Sequence, residues 1–268
     1  MKRQNNLGSK IFMVILVIFF YAPILYAMVF SFNSSKSLTH FSGFSLKWYD
    51  KMFNDREMME ALLYTVVIAV LATLVSTVFG TLTAIGLSKS KKALKMAVEQ
   101  VNNLPIMNPD IVTAIGLLVL FATFHIKSGF MTVLLAHIMF CTPYVILSVM
   151  PRLRHLDPNL AEAAMDLGAT PAYALIKVIV PQAMPGIISG ALTAFTMSFD
   201  DFVITFFVQG NGVSNISIIV YTMSKRVNPS INALATLVIV IISAVLLLIN
   251  ILPQKISKQK QKVIAERL

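Results

Sequence analysis

The sequence is built from apolar runs of about 20 residues separated by short polar stretches. A bilayer's hydrocarbon core is about 30 Å thick and is crossed by about 20 helical residues. Six such runs can be read: Ile11–Phe32, Ala61–Ser88, Leu104–Ile126, Phe130–Met150, Ala183–Val208 and Ala233–Leu252. The hydrophobic share is 57%, only 13% of residues are charged, and mean hydropathy is +0.78. An ordinary soluble domain carries about 25% charged residues. The pattern excludes a disordered chain, a disulfide scaffold and an ordinary soluble enzyme. It predicts an all-α integral membrane protein.

The net charge of +10 suggests nucleic acid at first sight. Its distribution argues otherwise, because the basic residues sit in clusters between apolar runs. With the N-terminus inside, 15 of the 22 Lys and Arg residues fall on the cytoplasmic side and 7 outside. The positive-inside rule therefore predicts cytoplasmic termini at both ends. Residues 1–10 form the inner N-terminus, 11–252 the membrane domain and 253–268 a basic inner tail. Lys2, Arg3 and Lys10 before the first run resemble the start of a signal peptide. That run is longer than the usual 7–15 residues, so an uncleaved start-transfer helix is expected. Trp48 and Tyr49 suit an outer interface.

The polar segment 151–182 is not a passive tether. Asp157-Pro158 reads as a helix cap followed by Pro at the first helical position. Leu160, Ala163, Ala164 and Leu167 share a helical face, and Gly168 supplies a stop. Thr170-Pro171 repeats the start signal, and Pro181 lies past a second helix ending near Ile179. The expectation is a short helix, a glycine turn and another short helix on the cytoplasmic side.

Three acids fall inside the apolar runs: Asp110, Asp200 and Asp201. Each costs roughly 2.5–3.5 kcal/mol at the centre of a membrane helix, so each needs a partner, a water-filled route or a cationic ligand. On a continuous helix Ser189, Thr193, Thr196 and Asp200 lie within about 60° of one another. Asp201 points about 100° away from Asp200. Gly186 and Gly190 form a G-x-x-x-G seam for close packing. Phe195, Phe199, Phe202 and Phe206 flank the acids. Pro105 and Pro109 predict a broken third span, with Asp110 at the break lining a pathway or stabilising a hinge. Acids beside aromatic faces suit an organic cation. Small-residue packing explains the hydroxyl stripe equally well, and the acids can also serve a gate at the outer interface.

His137 and Cys141, four residues apart, read as core packing, because a metal centre normally takes three or four ligands. Neither a nucleophile–base constellation nor a G-x-x-x-x-G-K-[ST] loop occurs. The chain is expected to bind no cofactor and to hydrolyse no ATP itself.

Glu162-Ala163-Ala164, three residues, Gly168, nine residues and Val178-Ile179-Val180-Pro181 resemble the EAA loop of ABC-importer permeases. Val178 and Val180 depart from that pattern conservatively. The resemblance implies a six-span permease of the type I, MetI-like fold with its core over about 60–252. In this family the loop docks on a separate ATPase. By resemblance Glu162, Ala163, Ala164, Gly168 and Pro181 couple to it, the lesser alternative for Glu162 being that it only stabilises its helix. Phe195-Thr196-Met197-Ser198-Phe199-Asp200-Asp201-Phe202, Asn232-Ala233-Leu234-Ala235-Thr236-Leu237 and Lys47-Trp48-Tyr49 resemble spermidine/putrescine permeases of the PotC type. That resemblance implies import of a polyamine across a bacterial inner membrane by alternating access. The implied partners are a second homologous permease, an ATP-binding dimer holding ATP and Mg, and a periplasmic or lipid-anchored polyamine-binding protein. Asp200, Asp201, Asp110, Thr196, Phe199 and Phe202 would line the substrate pathway or gate. An importer for another organic cation or an iron chelate remains the rival, with a proton-coupled secondary transporter behind it.

Overall fold

A computed structural model describes residues 7–224 and 228–244. Helices dominate it: α1 Leu7–Phe30, α2 Lys47–Asn54, α3 Arg56–Ser88, α4 Lys92–Met107, α5 Asp110–Thr123 and α6 Phe130–Arg154. There follow α7 Leu160–Asp166, α8 Pro171–Ala174, a π-helical turn Leu175–Ile179, α9 Val180–Phe199, α10 Val203–Val208 and α11 Ile216–Ser224. A last apolar helix, α12, covers Ser230–Ala244. Contacts divide the chain into a unit of residues 60–219 and a unit containing 1–59 and 220–268.

Four stretches are long and apolar enough to cross a membrane, and the bent pair α4–α5 makes a fifth. The expected sixth span, Ala233–Leu252, begins within α12 and runs on beyond the described residues, as does the basic tail. Two spans differ from the expected continuous runs. The third is a helix pair bent by 106° at Asn108-Pro109, and its first half begins at Lys92 within the basic cluster. Pro105 sits inside α4, whereas Pro109 takes ψ 137° and directs α5 away. The fifth span stops at Phe199 and restarts at Val203.

In the unit of residues 60–219, α6 is the central post and α9 packs along it. The reason is the glycine seam. A Cβ on Gly186 would stand 2.8 Å from Arg152 Cγ and 3.0 Å from the Ser148 carbonyl. On Gly190 it would stand 3.2 Å from Val145 Cα. Gly186, Gly190, Ala194 and Ser198 form one buried face of α9, four residues apart throughout. Ser189 and Thr196 lie exposed on another face. At the C-terminal end of α6, Arg154 pairs with Glu99 of α4 at 2.6 Å. At its N-terminal end the Thr132 hydroxyl donates to the Val208 carbonyl at 2.8 Å, closing the end of α10.

In the other unit the loop after α1 is organised by the buried Asn33. Its amide donates to Ser35 Oγ and to the Ser37 and His40 carbonyls, and its side-chain oxygen accepts from the Ser42 and Ser35 amides. Trp48 is buried too, and its indole N–H donates to the Asn33 carbonyl at 2.7 Å. Trp48 thus ties α2 to the loop after α1. A buried indole N–H needs a partner, and the Asn33 carbonyl supplies it.

Replacing Gly186 by Leu should lower the stability of the solubilised protein by about 1–3 kcal/mol, the usual cost of overpacking a filled contact. Gly86 has open space where its Cβ would stand, so Gly86→Leu should leave stability unchanged. Thermal melts of the purified assembly followed by size-exclusion chromatography check both.

Candidate functional site

The segment between α6 and α9 folds largely as its capping signals indicate. Asp157 Oδ1 accepts from the Asn159 amide at 2.9 Å, which turns the chain before α7. The helix starts at Leu160, two residues later than the Asp157-Pro158 signal suggests. Gly168 has φ +86°. Its amide donates to the Met165 carbonyl and the Ala169 amide to the Ala164 carbonyl. Those two bonds define a Schellman stop, in which the left-handed residue favours glycine. Thr170 Oγ1 accepts from the Tyr173 amide at 3.3 Å, and Pro171 opens α8.

The second short helix does not end at Ile179. It passes through the π turn directly into α9, so Pro171–Phe199 is one rod of 29 residues. Pro181 lacks the amide that an α-helix would direct at the Lys177 carbonyl. The wider turn accommodates this by sending the Val180 amide to the Leu175 carbonyl. Pro181 is thus a joint between loop and span rather than a terminator.

Glu162 and Ala163 are exposed on α7, and Ala164 is half-buried. Glu162 borders a groove of about 710 Å³ with Lys89, Lys95, Leu153, Arg154 and Ile179. Leu167 is 91% exposed at the tip of the turn, with Tyr173 and Ile176 also uncovered. Apolar side chains presented on a polar loop mark a contact surface.

The second cluster lies at the break in span five. Asp200 and Asp201 are neighbours with opposite fates. Asp200 caps α9 at φ −92°, ψ 0° and its side chain is exposed. Asp201 is buried. Its Oδ1 accepts from the Ile204 amide at 3.2 Å, and its Oδ2 from the Thr205 amide at 2.8 Å and the Thr205 hydroxyl at 2.7 Å. The carboxylate therefore satisfies the first free amides of α10. His137 of α6 reaches both sides of the break. Its Nδ1 lies 2.6 Å from Ser198 Oγ on α9. Its Nε2 lies 3.0 Å from Thr205 Oγ1 on α10 and 3.4 Å from Asp201 Oδ2. The single Thr205 hydroxyl hydrogen goes to Asp201, which makes Nε2 the protonated nitrogen. The network continues outward: Asn215 donates from Nδ2 to the Asp201 carbonyl and accepts from the Ile218 amide at the start of α11.

Thr196 is exposed on the same side of α9 as Ser189, and its hydroxyl is bonded to the Leu192 carbonyl. Phe199 and Phe202 are half-buried. The four phenylalanines form two pairs, one on each half: Phe195 with Phe199 at 5.6 Å, and Phe202 with Phe206 at 5.5 Å. Asp110 is exposed in the first turn of α5, beside the other break, where a carboxylate also favours the helix start.

Sequence reasoning did not find the network joining Asp201 to His137, Ser198, Thr205 and Asn215. His137 is in the core as expected, but it is a hydrogen-bonded link rather than packing alone. The available signal was a histidine and an acid within apolar runs, since intramembrane ionisable groups seek each other. Cys141 directs its thiol to the Ala194 carbonyl at 3.4 Å, and no group of three metal-binding side chains occurs among the described residues.

The bundle, its glycine seam and its coupling-type loop are those of an ABC-importer permease. Residues 76–262 match the family described as binding-protein-dependent transport system inner membrane component, and the chain belongs to that family. It is 38% identical to the spermidine/putrescine transport system permease protein PotC of Haemophilus influenzae, covering 91% of this chain and 95% of the relative. It is 38% identical to the corresponding PotC of Escherichia coli K12, covering 94% of each. The putrescine transport system permease protein PotI of E. coli K12 is 39% identical, with 82% of each covered. Among solved structures, a bacterial ABC transporter involved in import of the acidic polysaccharide alginate superposes with TM-score 0.68 at 14% identity, over 95% of this chain and 98% of that one. A bacterial alginate ABC transporter in complex with an alginate pentasaccharide-bound periplasmic protein gives 0.67 at 16% identity, over 90% and 93%. These structural likenesses bear on the fold, which is the type I permease fold.

Substituting Gly168 by Ala should weaken the Schellman stop by about 1–2 kcal/mol, the cost of a left-handed residue with a Cβ. Amide exchange across residues 160–169 should then speed up about tenfold, while exchange in α6 is unchanged.

Proposed function

We propose that this chain is a PotC-type permease subunit of an ATP-driven importer that carries polyamines into the cytoplasm. The observation that carries this reading is identity of 38% over 94% of a spermidine/putrescine permease, together with an exposed acid at a helix break. In this reading the chain spans the bacterial inner membrane with both termini cytoplasmic. It pairs with a second homologous permease and an ATP-binding dimer that holds ATP and Mg, and it receives substrate from a polyamine-binding protein outside. It needs no cofactor of its own and is not itself an enzyme.

The mechanism is alternating access. Closure of the ATPases moves the loop bearing Glu162, Ala163, Ala164 and Gly168. The rod through Pro181 carries that motion to the break at Asp200. Polyamine released from the binding protein meets Asp200 with the Phe199 and Phe202 rings at hand, while Thr196 and Asp110 line the route. Asp201, held inside the protein, belongs to the gate. A carboxylate pairs with an ammonium, and an aromatic face adds about 0.5–2 kcal/mol for each cation it meets. Linear polyamines, with ammonium groups on methylene chains, suit that mixture.

Uptake of labelled spermidine and putrescine by the complete set of subunits tests the proposal. Wild type should import at least one of them. Asp200→Asn should assemble normally and lose at least tenfold of the uptake rate. Gly168→Asp should retain membrane levels and lose ATPase coupling. A wild-type assembly that moves no polyamine overturns the substrate assignment, and normal uptake by Asp200→Asn removes the acid from the route.

A further inference from the structure

We propose that His137 is a positioning residue for transport, a staple that sets the geometry of the break in span five and so the placement of Asp200. The inference rests on the importer reading above and adds a residue that touches no substrate.

Span five is the only route of continuous helix from the cytoplasmic loop to the Asp200 break among the described residues. Pro171–Phe199 runs unbroken, about 43 Å at 1.5 Å per residue. Its buried face is locked to α6 by Gly186 and Gly190. Beyond the break the short α10 packs on α5 and α6. The two halves are therefore separate bodies that meet at residues 200–202, and α6 touches both.

His137 sits on α6 at that meeting point and is 2% exposed. One ring nitrogen holds the last turn of α9 through Ser198, and the other holds α10 through Thr205 and Asp201. A planar ring with a nitrogen on each half fixes their separation, which a hydrophobic side chain of the same size would not. Asp201 and its carbonyl extend the constraint to Asn215. Asp200, next in the chain, faces outward from this anchored point. The neighbouring acids thus divide the work. Asp201 is consumed by the staple, and Asp200 is presented by it.

The test uses the complete importer in proteoliposomes, in a Cys141→Ala background that is first shown to transport. Asp200→Cys provides a reporter for a membrane-impermeant maleimide. With His137 intact, the labelling rate at position 200 should change at least fivefold between the nucleotide-free and vanadate-trapped states. With His137→Phe that change should fall below twofold. In chains that keep Asp200, His137→Phe should lower polyamine uptake per ATP hydrolysed at least tenfold. Adding Ser198→Ala to His137→Phe should cost less than a further twofold, because both changes cut the same link between α6 and α9. Purely steric packing by His137 predicts that the two losses multiply.

An unchanged labelling response together with coupling within twofold of wild type overturns the proposal. So does a double variant whose loss is the product of the two single losses. If His137→Phe fails to assemble, Ser198→Ala decides by the same thresholds, since it cuts the α9 side of the staple and leaves the ring in place. The labelling arm already lacks the Asp200 carboxylate. Normal uptake by Asp200→Asn would therefore end the acidic-route reading without touching the staple, and loss of the labelling response would support the staple by itself.

Discussion

Backbone amides and carbonyls left unpaired in hydrocarbon cost several kcal/mol each, so a membrane helix stops only where the protein itself takes over their bonds. That constraint governs the unit of residues 60–219. Its fifth span stops at Phe199 and restarts at Val203, and the freed amides of Ile204 and Thr205 are taken by the Asp201 carboxylate. An acid that would be expensive in an uninterrupted helix becomes the group that makes the interruption tolerable. The surrounding residues follow from it: Thr205 shares its hydroxyl with the acid, and His137 brings the only histidine of α6 to the same point.

Close packing supplies the complementary part. Apolar burial gives little drive between helices when the solvent is itself apolar, so contact depends on small residues that let backbones approach. Gly186 and Gly190 serve α9 in this way, and Gly80 serves α3, where a Cβ would stand 2.7 Å from Val145. All three glycines lean on the stretch of α6 from Thr142 to Arg152. The π turn before α9 lets a proline lie within a rod that joins loop to span.

The functional reading joins these two parts. The coupling-type loop presents exposed Leu167 and Glu162 at one end of the rod, and the break presents exposed Asp200 at the other. Membership of the binding-protein-dependent permease family places such a chain within a larger transport assembly.

The apolar runs, the basic clusters and the caps around 157–181 were legible in the residues themselves, because hydropathy, charge and capping are local. The G-x-x-x-G seam was legible too, since its period matches a helix turn. Pro105 and Pro109 announced a break in the third span, because proline acts on its own backbone. Three features depended on tertiary structure. Periodicity treated Asp200 and Asp201 as points on one continuous helix, and only the fold ends that helix between Phe199 and Val203. Pro181 reads as a terminator until a π turn accommodates it. His137 reads as packing until α9 and α10 bring Ser198, Thr205 and Asp201 to its two nitrogens, from positions 61, 68 and 64 residues away. A sequence displays which side chains can form such bonds. Which of them meet is set by the close approach of α6 and α9, a contact between distant segments that no local pattern encodes.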